Sequence, residues 1–272
     1  MIKIETGTDE LLCHIEDRVG VITLNKPHKK NALGDVLTPA LRQSLLDLEA
    51  DDRVGCVLIT GAGNAFCSGG DISGMGGDSS DDMTKAERIA GLTHKQETLT
   101  KRLHELSKIT IAALPGAAAG AGFSIALACD LRVASENAFM TTAFANIGLS
   151  GDYGASWFLT RLIGLSKAKE LFYTADRVSA TEAASLGLIN KVFPEASFRT
   201  DAMNYARKIA NGPTEALGRM KLNLNQGLSQ PLIDSLALEA KHMIESGSTT
   251  ESREAIQAFM QKRAPVFHQS SE

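Results

Sequence analysis

Short apolar runs alternate with helix-forming stretches through the first two thirds of the chain, and this alternation constrains the fold more than any other feature. Residues 54–60, 109–114 and 130–134 have the length and composition of buried strands. The second run ends at Pro115, and the small residues 117–129 then indicate a helix. Strands separated by helices pair in parallel, because each helix carries the chain back across the sheet. The sequence therefore predicts an α/β fold built on a largely parallel sheet.

Two patterns precede these strands. Residues 12–24 alternate apolar and polar positions on either side of a polar triplet at 16–18, which predicts a β-hairpin. Leucines then recur at helical spacing and predict the buried face of a helix. They are Leu37, Leu41, Leu45 and Leu48. Asp35 stands just before this helix and is its expected N-cap residue.

The last third of the chain is predicted to be mainly helical. A capping box from Ser179 to Glu182 opens one helix, and Gly187 ends it before a short strand at residues 188–193. Further helices are expected at residues 199–210, 213–226, 231–246 and 249–263. The chain therefore divides into an α/β core at residues 1–198 and a helical C-terminal region at residues 199–272.

Residues 74–82 differ from the rest of the core. They are rich in glycine, serine and aspartate and contain little apolar side-chain surface. This composition predicts a surface loop that leads into a polar helix at residues 84–106. A plain solvated loop and a lid over a pocket are both consistent with it.

Charge and cysteine usage exclude several classes of protein. The net charge of −4 provides no basic field for nucleic acid or an anionic membrane. The four cysteines form no CxxC pair, so we expect reduced, buried thiols and no metal site. No apolar run reaches membrane-spanning length, and residues 1–10 lack the features of a signal peptide. We therefore expect a cytoplasmic protein.

Three glycine-rich segments carry the candidate chemistry. They are AFCSGGD at residues 65–71, GAAAGAG at residues 116–122 and GLSGDYG at residues 148–154. Glycines at the start of a helix let a ligand approach backbone N–H groups, and the helix dipole favours negative charge there. Two such N–H groups from separate segments can bind one oxyanion.

Other interpretations of these segments are weaker. A dinucleotide site needs GxGxxG, whereas the glycine order here is GxxxGxG, and the GK[ST] of a phosphate-binding loop is absent. Each segment alone is also consistent with close packing of a helix on a sheet. No histidine lies near Cys67 in the sequence, so a buried neutral thiol is favoured over a nucleophile.

Taken in order, several motifs resemble the enoyl-CoA hydratase/isomerase (crotonase) superfamily. NKPHKKNAL at residues 25–33 is followed by the three glycine-rich segments, by DRVSATEAASLGLINKVF at residues 176–193 and by AIQAFMQKRAPVF at residues 255–267. The resemblance covers essentially the whole chain. It implies a spiral of ββα units with a helical C-terminal region that forms trimers, often paired into hexamers. It also implies an acyl-CoA substrate, with coenzyme A as part of the substrate and no separate cofactor.

The resemblance also implies the site residues. The backbone N–H groups of Gly70 and Ala121 match the oxyanion hole that polarises the thioester carbonyl in the family. The substrate-binding positions that it implies are Lys29, Lys30, Ala32, Ser68, Asp71, Ile72, Ser124 and Phe144. Lys262 and Phe267, in the C-terminal tail, match the segment that reaches the coenzyme A of the same or a neighbouring subunit.

The acid and base residues depart from the hydratase pattern. Classical enoyl-CoA hydratases carry two glutamates, which match Ser124 and Phe144, and neither residue ionises here. The remaining carboxylate in a matching position is Asp152, where related isomerases and a dehalogenase branch place a functional aspartate. Gly-Asp-Tyr-Gly is also an excellent β-turn sequence, so a purely structural role is the alternative.

One carboxylate beside an oxyanion hole suits proton shuttling, so the expected reaction is isomerisation of an unsaturated acyl-CoA. Burial against Phe144, Ile147 or Trp157 would raise the pKa of Asp152 and strengthen it as a base. The alternatives are a hydratase with a non-standard acid/base set, a dehalogenase or hydrolase with Asp152 as nucleophile, and a non-catalytic acyl-CoA-binding oligomer. If Asp152 is not the base, the acidic candidates near the predicted loop are Asp81, Asp82 and Glu87.

Overall fold

The computed structural model describes residues 1–71 and 83–268. The strands are β1 (Ile2–Ile4), β2 (Leu11–Glu16), β3 (Val19–Leu24), β4 (Cys56–Gly61), β5 (Ala65–Cys67), β6 (Ile109–Leu114), β7 (Ala117–Ala119), β8 (Leu131–Ser135), β9 (Phe139–Thr141), β10 (Val178–Ser179) and β11 (Lys191–Phe193). The helices are α1 (Leu37–Ala50), α2 (Lys85–Gln96), α3 (Arg102–Glu105), α4 (Ala121–Ala128), α5 (Ala155–Thr174), α6 (Ala180–Ser185), α7 (Phe198–Ala210), α8 (Thr214–Gly227), α9 (Leu232–Gly247) and α10 (Thr250–Met260). A π-helical turn, Glu97–Lys101, joins α2 to α3, and short 3₁₀ helices form at Pro27–Lys29 and Phe144–Ile147.

The strands form two sheets. One has the order β1-β2-β3-β4-β6-β8-β11, and the other has the order β10-β9-β7-β5. The predicted hairpin is confirmed, because β2 and β3 pair antiparallel with Leu11 opposite Leu24. From β3 onwards the first sheet is parallel. The predicted, largely parallel α/β fold is therefore confirmed.

Successive units of the core have the same construction. The pairs β4–β5, β6–β7 and β8–β9 each place one strand in the first sheet and the next in the second, before the chain enters a helix. The chain therefore winds through repeated ββα units, as the resemblance implied. The loops that follow β5 and β7 emerge side by side, because these two strands pair in parallel.

The leucine stripe of α1 is fully buried in the main core, as predicted, at Leu37, Leu41, Leu45 and Leu48. The predicted N-cap role of Asp35 is wrong. Val36 occupies the N-cap position, and no side chain caps the helix. The backbone supplies the missing acceptor, since the Thr38 N–H donates to the carbonyl of Gly34 at 3.1 Å.

The predicted helix at residues 84–106 is confirmed as α2, the π-helical turn and α3, and a capping box between Thr84 and Glu87 starts it. Ser179 likewise accepts the N–H of Glu182 at the start of α6. The helices expected between residues 199 and 263 correspond to α7–α10. Helix α7 buries Phe198 and Ala202 against the first sheet. The domain boundary at residue 198 stays a prediction. Within the described residues, no helix is both long and apolar enough to cross a membrane.

The prediction of one helix from residue 117 to residue 129 is wrong at its start. The first three alanines form β7, which pairs with β5 and β9, and α4 begins only at Ala121. Gly120 makes the change of direction at φ 53° and ψ −126°. Gly122 then lies against β5, because a Cβ there would stand 2.3 Å from the carbonyl oxygen of Cys67. Helix α4 therefore packs directly on the backbone of β5.

The variant Gly122→Ala is expected to destabilise the fold by about 1–3 kcal/mol, because the new methyl group would overlap backbone atoms in a packed core. Chemical denaturation measures the change. Gly91→Ala is the matched control, since a Cβ on Gly91 in α2 meets nothing within 4 Å. It should be neutral or stabilising by about 0.5–1 kcal/mol. Equal stability of the two variants would contradict close packing of α4 on β5.

Candidate active site

Two adjoining cavities, of about 450 and 500 Å³, lie where the three glycine-rich segments converge. Gly70, Ala121 and Asp152 line both cavities. The structure therefore brings together the three residues that the sequence singled out as catalytic, although they lie far apart along the chain.

Backbone hydrogen bonds fix the segment that contains Gly70. The Leu33 N–H donates to the carbonyl of Gly69, and the Asp71 N–H donates to the carbonyl of Leu33, both at 2.8 Å. Gly69 has φ 103°, which a residue with a side chain rarely adopts. Within the described chain, the Gly70 N–H donates to no backbone acceptor. A Cβ on Gly70 would meet nothing within 4 Å, so this backbone faces open space in the cavity.

Ala121 supplies the second N–H. It is the first residue of α4, and the first N–H groups of a helix have no acceptor within the helix. A Cβ built on Gly69 would lie 3.4 Å from the Ala121 nitrogen, so the two segments are in close contact. Gly70 and Ala121, the latter at the positive end of a helix dipole, thus bring two backbone N–H groups to the same cavities, an arrangement that suits a developing oxyanion.

Asp152 lies in the turn before α5. Its neighbours Gly151, Tyr153 and Gly154 all have positive φ, at 105°, 50° and 81°. The carboxylate oxygen Oδ1 is buried and accepts no hydrogen bond from the described residues. Burial raises the pKa of Asp152 to about 6, because desolvation disfavours the charged form.

The apolar surroundings of Asp152 agree only partly with the sequence prediction. Phe144 and Ile147 line the same cavity as Asp152, and the Phe144 ring stacks on Phe172. The expectation for Trp157 is wrong. Its ring is 41% exposed and makes an edge contact with His104, away from both cavities. Helical geometry explains the difference, because Trp157 lies within α5, on a side of the helix that turns away from the site.

Ser124 lies behind the cavities and lines neither of them. Its side chain is fully buried on α4, and its hydroxyl lies 3.0 Å from the backbone carbonyl of Asp152 and 3.2 Å from that of Gly120. The structure therefore places Ser124 against the backbone that carries Asp152.

Charged side chains surround the entrance near Gly70. Lys29 Nζ lies 2.8 Å from Asp71 Oδ2, and Lys26 Nζ lies 3.7 Å from the same oxygen and 3.2 Å from Glu10. The hydroxyl of Ser68 donates to the carbonyl of Lys29 at 3.2 Å. These contacts join the turn around residue 29 to the loop after β5.

Two further predicted positions belong to the same turn. Ala32 is buried in the wall of the larger cavity. Lys30 is exposed, and its carbonyl accepts the Ser68 N–H at 3.0 Å. Ile72, Asp81 and Asp82 lie outside the described residues.

The sequence did not indicate the contribution of α1 and α2. The Tyr153 N–H donates to Gln96 Oε1 at 2.8 Å, and Arg42 Nη2 donates to the carbonyl of Lys95 at 3.1 Å. Arg42, Lys95 and Tyr153 also line the smaller cavity. No sequence signal marks these residues, because each partner lies on a separate element. Glu87, an alternative base candidate, caps α2 instead.

As far as His268, the last residue that the structure describes, the C-terminal tail lines neither cavity of its own chain. Lys262 is exposed, and Phe267 is half-buried. The Val266 N–H donates to Glu254 at 2.8 Å, and His268 Nε2 lies 3.0 Å from the carbonyl of Gly212. The tail therefore folds back onto α10 and the turn before α8.

The described residues favour neither a cysteine nucleophile nor a metal site. Cys67 is fully buried, and desolvation raises the pKa of its thiol to about 12. The other three cysteines are buried as well, so the expectation of buried thiols is confirmed. In residues 1–71 and 83–268, no three side chains of His, Cys, Asp or Glu are grouped to hold a metal ion.

Comparison with known proteins identifies the family. Residues 14–270 match the family described as enoyl-CoA hydratase/isomerase. A probable enoyl-CoA hydratase of Rhodobacter capsulatus is 36% identical, with 93% of this chain and 95% of the relative covered. The 1,2-epoxyphenylacetyl-CoA isomerase of Escherichia coli is 34% identical, with 94% and 97% covered. A crystal structure titled as a putative enoyl-CoA hydratase/isomerase from Mycobacterium abscessus matches with a TM-score of 0.88 and 32% identity, over 95% of this chain and 99% of that one. The chain therefore belongs to the enoyl-CoA hydratase/isomerase (crotonase) superfamily and is an acyl-CoA enzyme.

Proposed function

We propose that this enzyme moves a carbon–carbon double bond within an unsaturated acyl-CoA. The N–H groups of Gly70 and Ala121 bind the thioester oxygen, and Asp152 removes a proton from one carbon and returns it to another. The observation that carries the proposal is the half-buried carboxylate of Asp152, which lines the same cavities as the two N–H groups and has an unpartnered oxygen.

In this proposal, the two N–H donors stabilise the negative charge that forms when Asp152 removes a proton. When the base removes a proton, negative charge moves through the conjugated system onto the thioester oxygen. Each preorganised N–H donor at that oxygen stabilises the transition state by roughly 2.7–4 kcal/mol in comparable sites. The protonated Asp152 then delivers the proton two carbons away, so the enzyme ends in its starting state.

The basicity of Asp152 fits this role. Proton transfer is fastest when the catalytic group has a pKa near the working pH. A pKa of about 6, raised by desolvation, leaves Asp152 ionised at neutral pH and a stronger base than an ordinary aspartate. A solvent-exposed turn residue would gain no such shift.

Direct hydration has less support. It needs one group to activate water and another to protonate carbon, and Ser124 and Phe144 occupy the positions of the two hydratase glutamates. Among the described cavity residues, Glu10 and Asp71 are held by lysines, and Asp35 is exposed. The Escherichia coli relative, whose name describes an isomerase of a CoA thioester, supports isomerisation as the reaction type.

We assign the coenzyme A moiety to the side of the site formed by Lys29, Lys30, Ala32 and Ser68, together with Asp71. Ile72, the next residue in the sequence, is assigned to coenzyme A from the family resemblance alone. Phe144 is assigned to the wall beside the acyl group, and Ser124 stands behind that wall. Lys262 and Phe267 lie outside the cavities of their own chain, so their proposed contact is with the coenzyme A of a neighbouring subunit.

The C-terminal helices support a homotrimer or a dimer of trimers. They expose large apolar side chains that a monomer leaves in water, among them Leu224, Leu232, Met243 and Phe259 at 73–81% exposure. Removing such apolar surface from water favours association, and large exposed apolar patches commonly mark protein interfaces. The tail that carries Lys262 continues from this apolar surface.

Asp152→Asn should reduce turnover by about 10²- to 10⁴-fold, because the amide cannot accept the proton at neutral pH. Affinity for a saturated acyl-CoA should change little. The assay begins with a screen of acyl-CoA thioesters of differing chain length and double-bond position, with products identified by mass spectrometry and NMR. Near-normal turnover of the variant on a confirmed substrate would show that Asp152 is not the base and has only a structural role in its turn.

The pH dependence should follow the pKa of Asp152. Because the base acts in its ionised form and burial raises its pKa to about 6, activity should be full at pH 8 and fall as the pH drops through 6. Below that point kcat/KM, which reports the groups of the free enzyme, should decrease about tenfold per pH unit. A rate that stays constant down to pH 4.5 would contradict the assignment.

Light scattering at micromolar concentration should give the mass of a trimer or a hexamer. Phe259→Asp, which introduces a charge into the exposed apolar surface, should shift the protein towards smaller species. Leu12→Asp is a suitable control, because Leu12 is also exposed but lies on β2 and not on the exposed apolar surface of α8–α10. A monomeric wild-type protein would overturn the proposed assembly.

A further inference from the structure

One peptide group next to the candidate base is held at both of its polar atoms. The carbonyl of Asp152 and the N–H of Tyr153 belong to the same peptide. The hydroxyl of Ser124 donates to that carbonyl at 3.0 Å, and the side-chain oxygen of Gln96 accepts that N–H at 2.8 Å. Ser124 belongs to α4 and Gln96 to α2. Two separate helices therefore hold this peptide, one through its carbonyl and the other through its N–H.

The backbone directly after this peptide has a conformation that needs support from its surroundings. Tyr153 has φ 50°, a left-handed value that a bulky residue adopts only where the surrounding structure holds it. Gly151 and Gly154 also have positive φ. The Asp152 carboxylate has no hydrogen bond of its own to fix it within the described residues. Its position therefore depends on the backbone that carries it.

We propose that Gln96 and Ser124 are positioning residues, which together clamp the Asp152–Tyr153 peptide and so aim the carboxylate of Asp152 at the substrate. This proposal rests on the proposed role of Asp152 as the base. It assigns Ser124 a function other than substrate contact. It also adds Gln96, which no sequence pattern indicated, to the residues that position the base.

The clamp also connects the base to the wall of the smaller cavity. Gln96 is the last residue of α2, and Leu92 and Lys95 of the same helix line that cavity. Arg42 of α1 holds the carbonyl of Lys95, one residue before Gln96. An acyl group that presses on α2 therefore acts on the element that positions the base.

The hydrogen bonds of Ser124 and Gln96 to this peptide are shielded from water. Ser124 is fully buried, and Gln96 is half-buried, so water does not readily replace either partner. The Asp152 carbonyl also accepts the Ala155 N–H at 3.2 Å, which keeps the start of α5 intact when Ser124 is changed. Substitution should therefore loosen the Asp152–Tyr153 peptide without unfolding the helix that follows it.

The test uses Gln96→Met and Ser124→Ala, alone and combined, in the full-length enzyme with a substrate whose turnover requires Asp152. Each single variant should lower kcat about 10- to 100-fold with little change in KM, since misplacement of about 1 Å has effects of this size. Because both residues hold one peptide, the double variant should lose little more than the worse single variant. Thr93→Ala, an exposed change on α2, is the control and should behave like the wild type.

Two further readouts separate positioning from general damage. Gln96→Glu keeps an oxygen acceptor at the same place, so at pH 8 it should recover most of the kcat that Gln96→Met loses. The kcat–pH profile of Gln96→Met should shift to lower pH, because a released carboxylate moves into solvent and becomes a weaker base.

The outcomes distinguish this proposal from the proposed function. Unchanged kcat in both single variants, with turnover lost in Asp152→Asn, would overturn the clamp alone. Fully multiplicative losses, or equal losses in Gln96→Glu and Gln96→Met, would also overturn it. Turnover retained in Asp152→Asn would instead refute the role of Asp152 itself.

Discussion

The close contact between the first turn of α4 and strand β5 governs the geometry of the site. A Cβ at Gly122 would lie 2.3 Å from the Cys67 carbonyl, so only glycine allows the helix to approach this strand. The approach brings the N–H of Ala121, at the start of the helix, next to the loop that carries Gly70. Both residues line the same cavities, and two N–H donors held close together before substrate binds are the arrangement that the proposed oxyanion hole requires. The parallel pairing of β5 and β7 makes the arrangement possible.

The burial of Asp152 lowers the stability of the fold at neutral pH. Burial raises the pKa of Asp152 above that of an unfolded chain, so the folded state holds the proton more tightly. Above pH 6 Asp152 is ionised in both states, and its burial lowers the free energy of unfolding. This loss of stability diminishes as the pH falls through 6, and it is gone once the pH is low enough to protonate Asp152 in the unfolded chain too. Left-handed backbone at Tyr153 adds strain at the same point. Functional sites commonly retain such unfavourable features, because activity requires them.

The sequence predicted what depends on local pattern and missed what depends on distant contacts. The sequence predicted the buried leucines of α1, the hairpin and the three glycine-rich segments. Their signals, the spacing of apolar residues and the residue types of turns, extend over only a few positions. The alanines of β7 were predicted to be helical, since only their sheet partners make them a strand. The hydrogen bond between Gln96 and Tyr153 joins residues 57 positions apart, and no local pattern around either residue indicates it.

Solvent deuterium exchange into the acyl chain tests the central claim most directly. An unsaturated acyl-CoA incubated in D₂O with the wild-type enzyme should gain deuterium at the carbons that Asp152 deprotonates and reprotonates, visible by NMR and mass spectrometry. Asp152→Asn should bind the same thioester and exchange at least 10²-fold more slowly. Exchange at the wild-type rate in Asp152→Asn would contradict the account. So would uptake of ¹⁸O from labelled water into Asp152 during turnover, because that result identifies a covalent nucleophile in place of a base.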